Sequence, residues 1–196
     1  MSGRPGAFLD RDGTLNESVP DPVSGLPESP LTVAQVRLID GAADAARRLA
    51  QAGFALVCVS NQPAAAKGKV SVEQLLAVQE RVLELLRQAG VRLDGSRLCL
   101  HHPDGIVPEL SRACDCRKPA PGMLLDAAAE LGLDLRSSWI FGDTDSDVLA
   151  GHAAGCRALL IEHPGSNHKR AGNADPDLVA PSLAAGVSQL LGARRD

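Results

Sequence analysis

Tyrosine is absent from the 196-residue chain, tryptophan occurs once and phenylalanine three times. So few aromatic faces argue against a base-stacking platform for single-stranded nucleic acid. Basic charge is not in excess either. Lys and Arg number 20 against 24 Asp and Glu, a formal net charge of −4, so the electrostatic footprint of a nucleic-acid binder is missing. No apolar run is long enough to span a bilayer. The segment Met1 to Asp10 carries one Arg and no long apolar core, so it does not read as a signal peptide, and the cytoplasm is the expected compartment. Cysteine is sparse and odd in number: Cys58, Cys99, Cys114, Cys116 and Cys156. That count argues against a disulfide framework. Three of them share an 18-residue window with His101 and His102, which suggests a metal.

What is present is an ordinary globular balance, 44% hydrophobic and 22% charged, and a length that suits one domain over residues 1–196. Short apolar runs alternate with helical patterns. Ala7-Phe8-Leu9 is a brief apolar run, and Phe54 to Val59 reads as a strand buried on both faces. Arg97 to Leu100, Trp139 to Phe141, Arg157 to Glu162 and Asp177 to Ala180 add further strands. Helices are predicted over Gly41 to Ala52, behind a Ser71/Gln74 capping box to Ala89, over Gly122 to Leu131, after the Trp139 strand to about Ala154, and over Ser182 to Leu191. Repeated βα alternation implies an α/β fold, a Rossmann-like parallel sheet flanked by helices. Residues 17–30 hold four prolines and no periodicity, so they read as a loop. Residues 102–122 read as another. Loops at the carboxyl ends of strands are where open α/β sheets place ligands.

Asp10-Arg11-Asp12-Gly13-Thr14 follows the first strand. Two residues apart at a strand end, Asp10 and Asp12 can point the same way, and a divalent cation would hold both carboxylates useful. Gly13 permits a sharp turn that brings backbone N–H groups toward an anion. One carboxylate can then attack phosphorus while the other handles protons. Further on, Cys99-Leu100-His101, twelve intervening residues, then Cys114-Asp115-Cys116 supply four ligands suited to tetrahedral zinc. His102 is an alternative ligand, although the Cys-x-His spacing favours His101. A site closed by four protein ligands is structural. Its second pair directly precedes Arg117 and Lys118, so zinc is expected to hold the loop that presents both cations.

The first of these motifs resembles that of the haloacid dehalogenase (HAD) superfamily of aspartate-nucleophile phosphatases. Three more elements follow in that superfamily's order: Val59-Ser60-Asn61-Gln62 at a strand end, Arg117-Lys118-Pro119, and Gly142-Asp143-Thr144-Asp145-Ser146-Asp147. The cysteine–histidine loop is similar to that of the zinc-containing branch holding heptose bisphosphate phosphatases and histidinol-phosphate phosphatases. Asn61-Gln62, with Lys67-Gly68-Lys69 after it, points the same way. The chain departs from the heptose pattern at Ser18 to Asp21, at Pro63-Ala64 and at Thr144, all in substrate-facing segments.

The resemblance implies a capless HAD-like domain with its zinc loop within residues 99–116. It implies Mg²⁺-dependent hydrolysis of a phosphomonoester, with Asp10 as nucleophile and Asp12 as acid and base. Mg²⁺ would be held by Asp10 and Asp143 and by the backbone carbonyl of Asp12, with Asp147 orienting Lys118 or the metal shell. Ser60 and Lys118 would take the phosphoryl oxygens, Asn61 and Gln62 the substrate, and Arg117 a sugar hydroxyl or second phosphate. Zn²⁺ would sit on Cys99, His101, Cys114 and Cys116. The implied substrate is the C7 phosphate of a heptose 1,7-bisphosphate. The alternatives are histidinol phosphate or another small phosphate, and, from another class, an inactive zinc-stabilised binding module. The expected partner is a small phosphorylated sugar, with no nucleic acid and no membrane, and the chain is expected to be a monomer.

Overall fold

The computed structural model describes residues 3–193. Six strands form one sheet: β1 (Gly6–Leu9), β4 (Ala55–Asn61), β5 (Gly95–Cys99), β6 (Trp139–Gly142), β7 (Arg157–Ile161) and β8 (Leu178–Ala180). Their order is β5-β4-β1-β6-β7-β8, and every pairing is parallel. The helices are α1 (Ala42–Gln51), α2 (Val72–Gln88), α3 (Gly122–Leu131), α4 (Asp145–Ala154) and α5 (Leu183–Gly192). The chain therefore starts in the middle of the sheet, builds outward through β4 and β5, then returns to build the other half. The strand order reverses at β1, between β4 and β6, and a crevice opens at the carboxyl ends of strands at such a point.

Burial on both faces explains the continuous apolar runs. In β1, Ala7 and Leu9 face one apolar layer with α1, α2 and α5, while Phe8 faces the other with α3 and α4. In β4, Leu56 and Cys58 join the first layer, and Val57 and Val59 the second. This is the period-2 alternation of a strand with both faces covered. The Ser71/Gln74 capping box forms as expected at the start of α2.

Two strand boundaries lie two residues from the sequence reading, and one segment read as a loop carries strands. The fifth strand starts at Gly95, where it pairs with Val57, two residues before the predicted Arg97. The fourth runs on to Asn61 because its register with Cys99 continues. The segment read as a loop over 17–30 contains a short hairpin, β2 (Val19–Pro20) and β3 (Pro27–Glu28). Proline faces proline across it, so it lacks the usual ladder donors. It holds instead through Asp21, whose backbone N–H donates to Leu26 O (2.9 Å). The Asp21 carboxylate accepts from the N–H groups of Val23 and Ser24, and Lys69 Nζ pairs with it at 2.7 Å. Such local side-chain bonding has no periodic signature in a sequence. Among the described residues no inserted cap interrupts the sheet, and no helix is long and apolar enough to cross a membrane.

Candidate active site

Asp10 and Asp12 lie just beyond β1, at the crevice. The Asp10 backbone N–H donates to Phe141 O (2.9 Å), which ties this turn to β6. Gly13 has φ +83°, and a Cβ there would run into the Asp143 carboxylate. The glycine thus meets both the left-handed backbone and the close approach of the acidic loop after β6.

Lys118 reaches in from the loop before α3 and is buried. Its Nζ donates to Asp10 Oδ1 (2.8 Å), Asp147 Oδ1 (2.5 Å) and Val59 O (2.8 Å). Asn61 brackets its backbone: Nδ2 donates to Lys118 O (2.9 Å) and Oδ1 accepts from Lys118 N–H (3.0 Å). Burial alone would lower the Lys118 pKa, but Asp10 and Asp147 hold it raised, so the ammonium is charged. Burial pushes the Asp10 carboxyl up to about 6, against the pull of Lys118. Burial also raises Asp143 well above the usual carboxylate range, and Asp10 and Asp147 add to this.

Asp12 goes the other way. Burial works against its ionised form, yet Arg11 holds it below the ordinary value. Its Oδ1 accepts from Arg11 Nε (3.0 Å) and Asn16 Nδ2 (3.1 Å), and its Oδ2 from Arg11 Nη2 (2.8 Å) and Gln62 Nε2 (2.8 Å).

The oxygens of Asp10, Asp143 and Asp147 lie within 4.8 Å of one another. Asp147 is already engaged, since Lys118 takes one oxygen and the N–H and hydroxyl of Thr144 donate to the other. Asp143 Oδ2 accepts from Ser166 Oγ, while the buried Asp143 Oδ1 has no partner. Three carboxylates around one ammonium, with an orphaned oxygen among them, fit a hard divalent cation at Asp10 and Asp143.

Beside these groups a cavity of about 260 Å³ is lined by Asp10, Asp12, Ser60, Lys67, Arg117, Lys118, Asp143 and Lys169, among others. Ser60 Oγ accepts from Gln62 Nε2 (3.0 Å), which leaves its proton free to donate into the cavity. Arg117 makes one long bond, from Nη1 to His101 O (3.4 Å).

Cys99, His101, Cys114 and Cys116 converge as a group. Sulfur–sulfur distances run from 3.2 to 3.5 Å, and His101 Nδ1 lies 3.4 Å from Cys116 and 3.8 Å from Cys99. A tetrahedron with Zn–S arms of about 2.3 Å has edges of about 3.8 Å, so the donor set fits zinc. Burial and the nearby Arg112 charge keep His101 below its usual pKa, in the neutral form that ligates. The alternative His102 lies outside the group, and its Nδ1 accepts from Asp104 N–H (3.1 Å).

A family model described as HAD-hydrolase-like matches residues 115–186. A D-glycero-beta-D-manno-heptose-1,7-bisphosphate 7-phosphatase from Yersinia pestis is 42% identical over 180 residues, 92% of each chain. The chain belongs to the HAD-like hydrolases. The enzyme of the same name from Escherichia coli K12 is 38% identical, over 92% of this chain and 90% of its own. Among solved structures, a D,D-heptose 1,7-bisphosphate phosphatase from B. bronchiseptica, complexed with magnesium and phosphate, matches with a TM-score of 0.79. It is 30% identical, over 96% of this chain and 99% of its own.

Within this HAD-like site, the two amides expected to face substrate also bond within the protein. The amide of Asn61 brackets the Lys118 backbone, and the residue still lines the cavity. Gln62 is 1% exposed and bonded to Asp12 and Ser60, so its amide lies behind the carboxylate. Sequence reasoning missed Arg11, Gln79 and Ser166. Arg11 had one signal, a cation between two motif carboxylates. Gln79 had one too, a polar residue on the apolar face of a helix. Ser166 had none.

Proposed function

We propose that this chain is a Mg²⁺-dependent phosphomonoesterase that removes the C7 phosphate of D-glycero-D-manno-heptose 1,7-bisphosphate through an aspartyl-phosphate on Asp10. The observation that carries the reading is the convergence of Asp10, Asp12, Lys118 and Asp143 at the switch point of the sheet. The name and 42% identity of the Yersinia relative support the choice of sugar. An Asp10 oxygen attacks phosphorus, and the bond to the leaving sugar oxygen breaks. Asp12, ionised in the free site, receives a proton as the substrate phosphate binds, gives it to that oxygen, then takes one from the water that cleaves the aspartyl-phosphate. The Lys118 ammonium and the Ser60 hydroxyl bind phosphoryl oxygens as charge spreads over them.

Mg²⁺ would be held by Asp10, Asp143 and the Asp12 carbonyl, and it supplies charge neutralisation between the phosphate and the attacking carboxylate. Zn²⁺ would be held by Cys99, His101, Cys114 and Cys116 and would order the loop that carries Arg117. Arg117 and Lys67 stand on the cavity wall beyond Lys118, where a second phosphate needs cations. All five cysteines are free, in keeping with the reducing cytoplasm, and the chain acts as one domain and as a monomer.

Phosphate release from a panel of esters tests the reading. Heptose 1,7-bisphosphate should give the highest kcat/KM, release should stop with EDTA and return with Mg²⁺. A preference for histidinol phosphate would overturn the substrate, and no Mg²⁺-dependent release from any ester would overturn the activity.

A further inference from the structure

Arg11 is fully buried, the largest side chain in the protein to be so. Its guanidinium forks onto both oxygens of Asp12, at 3.0 and 2.8 Å. The remaining terminal nitrogen, Nη1, donates to Gln79 Oε1 (3.3 Å). Gln79 sits on the inner face of α2, where its buried neighbours are Leu75, Val78, Val82 and Leu86. Its own Nε2 donates to Ser96 Oγ on β5 (3.0 Å) and lies 3.7 Å from Cys58 Sγ on β4. A chain of polar groups, buried up to Gln79, therefore runs from the catalytic turn through the core to half-buried Ser96 on the edge strand of the sheet.

Burying an arginine and a glutamine among leucines and valines is costly, and well-packed apolar residues of similar size would often stabilise such a site at least as well. What apolar residues could not do is fix the plane of a carboxylate. The final torsion of an aspartate is broad, so covalent geometry alone leaves the plane free to turn. A two-point fork onto both oxygens removes that freedom. We infer that Arg11 and Gln79 form a buried strut that holds the Asp12 carboxylate in the plane from which it exchanges protons with the leaving oxygen and with water. Both are positioning residues, since Arg11 acts through Asp12 and Gln79 acts through Arg11. The inference rests on the proposed role of Asp12 as acid and base.

The two half-reactions separate this role from a general structural one. Forming the aspartyl-phosphate from p-nitrophenyl phosphate needs no proton for its leaving group, because nitrophenolate departs as the anion. Cleaving the aspartyl-phosphate needs Asp12 for every substrate. In Arg11→Met and Gln79→Leu, rapid mixing with p-nitrophenyl phosphate should give a burst of about one nitrophenolate per site, followed by turnover slowed on the order of a hundredfold for Arg11→Met. Gln79→Leu should show a smaller slowing of the same form. With an alkyl phosphate both variants should be slowed without a burst. Arg11→Lys keeps the charge but not the fork, and should fall between wild type and Arg11→Met.

Acid-quenched samples should carry the phosphoryl group on Asp10 by mass. Turnover unchanged in Gln79→Leu, or slowing with no burst in the variants that fold, would overturn the strut. Should Arg11→Met not fold, Gln79→Leu decides, because its side chain reaches no reacting atom. A wild-type protein that releases phosphate from neither ester would instead overturn the proposed activity, and the strut with it.

Discussion

Replacing Cys116 by Ser should separate the two cations that follow it. A serine hydroxyl is a far poorer zinc ligand than a thiolate, so the group should lose its metal. Arg117 is anchored through His101, by a single 3.4 Å bond to that residue's carbonyl, and His101 is itself in the zinc group. Lys118 has its own supports: three Nζ bonds to Asp10, Asp147 and Val59, and two backbone bonds to Asn61. None of these passes through a cysteine. Loss of one charge-assisted bond from Arg117 to an anionic substrate is worth about 1.5–3 kcal/mol, or roughly a ten- to hundredfold rise in KM for a bisphosphate. A monophosphate makes no use of Arg117 and should change little, and kcat should stay within about fivefold. The assay is steady-state kinetics on both esters, with zinc measured on the same samples and circular dichroism to check the sheet. Zinc lost with KM unchanged would refute the link through His101. A collapse of kcat with an unaltered KM would show that zinc, and not Asn61, holds Lys118.

Asp10→Asn should lower turnover by on the order of 10³-fold or more with the fold intact by circular dichroism. Appreciable activity, once mass spectrometry has excluded deamidation, would remove Asp10 as nucleophile. The Asp10 carboxyl is pushed up to about 6 by burial, against about 3.9 in an unfolded chain. The folded metal-free protein therefore keeps a proton that the unfolded chain has lost, and its stability falls as pH rises through that window. Mg²⁺ must displace this proton below about pH 6, so the gain in Tm on adding Mg²⁺ should be larger near pH 7.5 than near pH 5. An equal or larger gain at the lower pH would sink the argument. Gly13→Ala places a side chain at φ +83° and against the Asp143 carboxylate. It should cost roughly 1–2 kcal/mol from the left-handed backbone alone and weaken Mg²⁺ binding, read by urea unfolding and by calorimetry. Mild EDTA should strip Mg²⁺ and leave about one zinc per chain by elemental analysis, because four soft and imidazole ligands enclose it.

The sequence by itself determined the alternation of strands and helices, the covered parallel sheet and the four motifs. Parallel strands covered on both faces must be apolar throughout, so Phe54 to Val59 and Trp139 to Phe141 could not be mistaken for surface. Helix ends were legible where a cap is chemical, as at Ser71/Gln74. The carboxylates at strand ends and the spaced cysteines were legible because strand direction and metal ligation both impose short, regular spacings. The tertiary structure decided what each polar side chain is bonded to. Asn61 and Gln62 were visible as amides at a strand end, but only the packing of the β4 end against the Lys118 loop and Asp12 gave them those partners. Spacing favoured His101 over His102, and the fold sets the His101 ring beside the three thiols. The hairpin over β2 and β3 depends on Lys69 reaching Asp21 at 2.7 Å across 48 residues. The strut from Asp12 to Ser96 joins residues from the turn after β1, from α2 and from β5 that no local pattern connects, because a hydrogen bond between distant segments leaves no period in the chain.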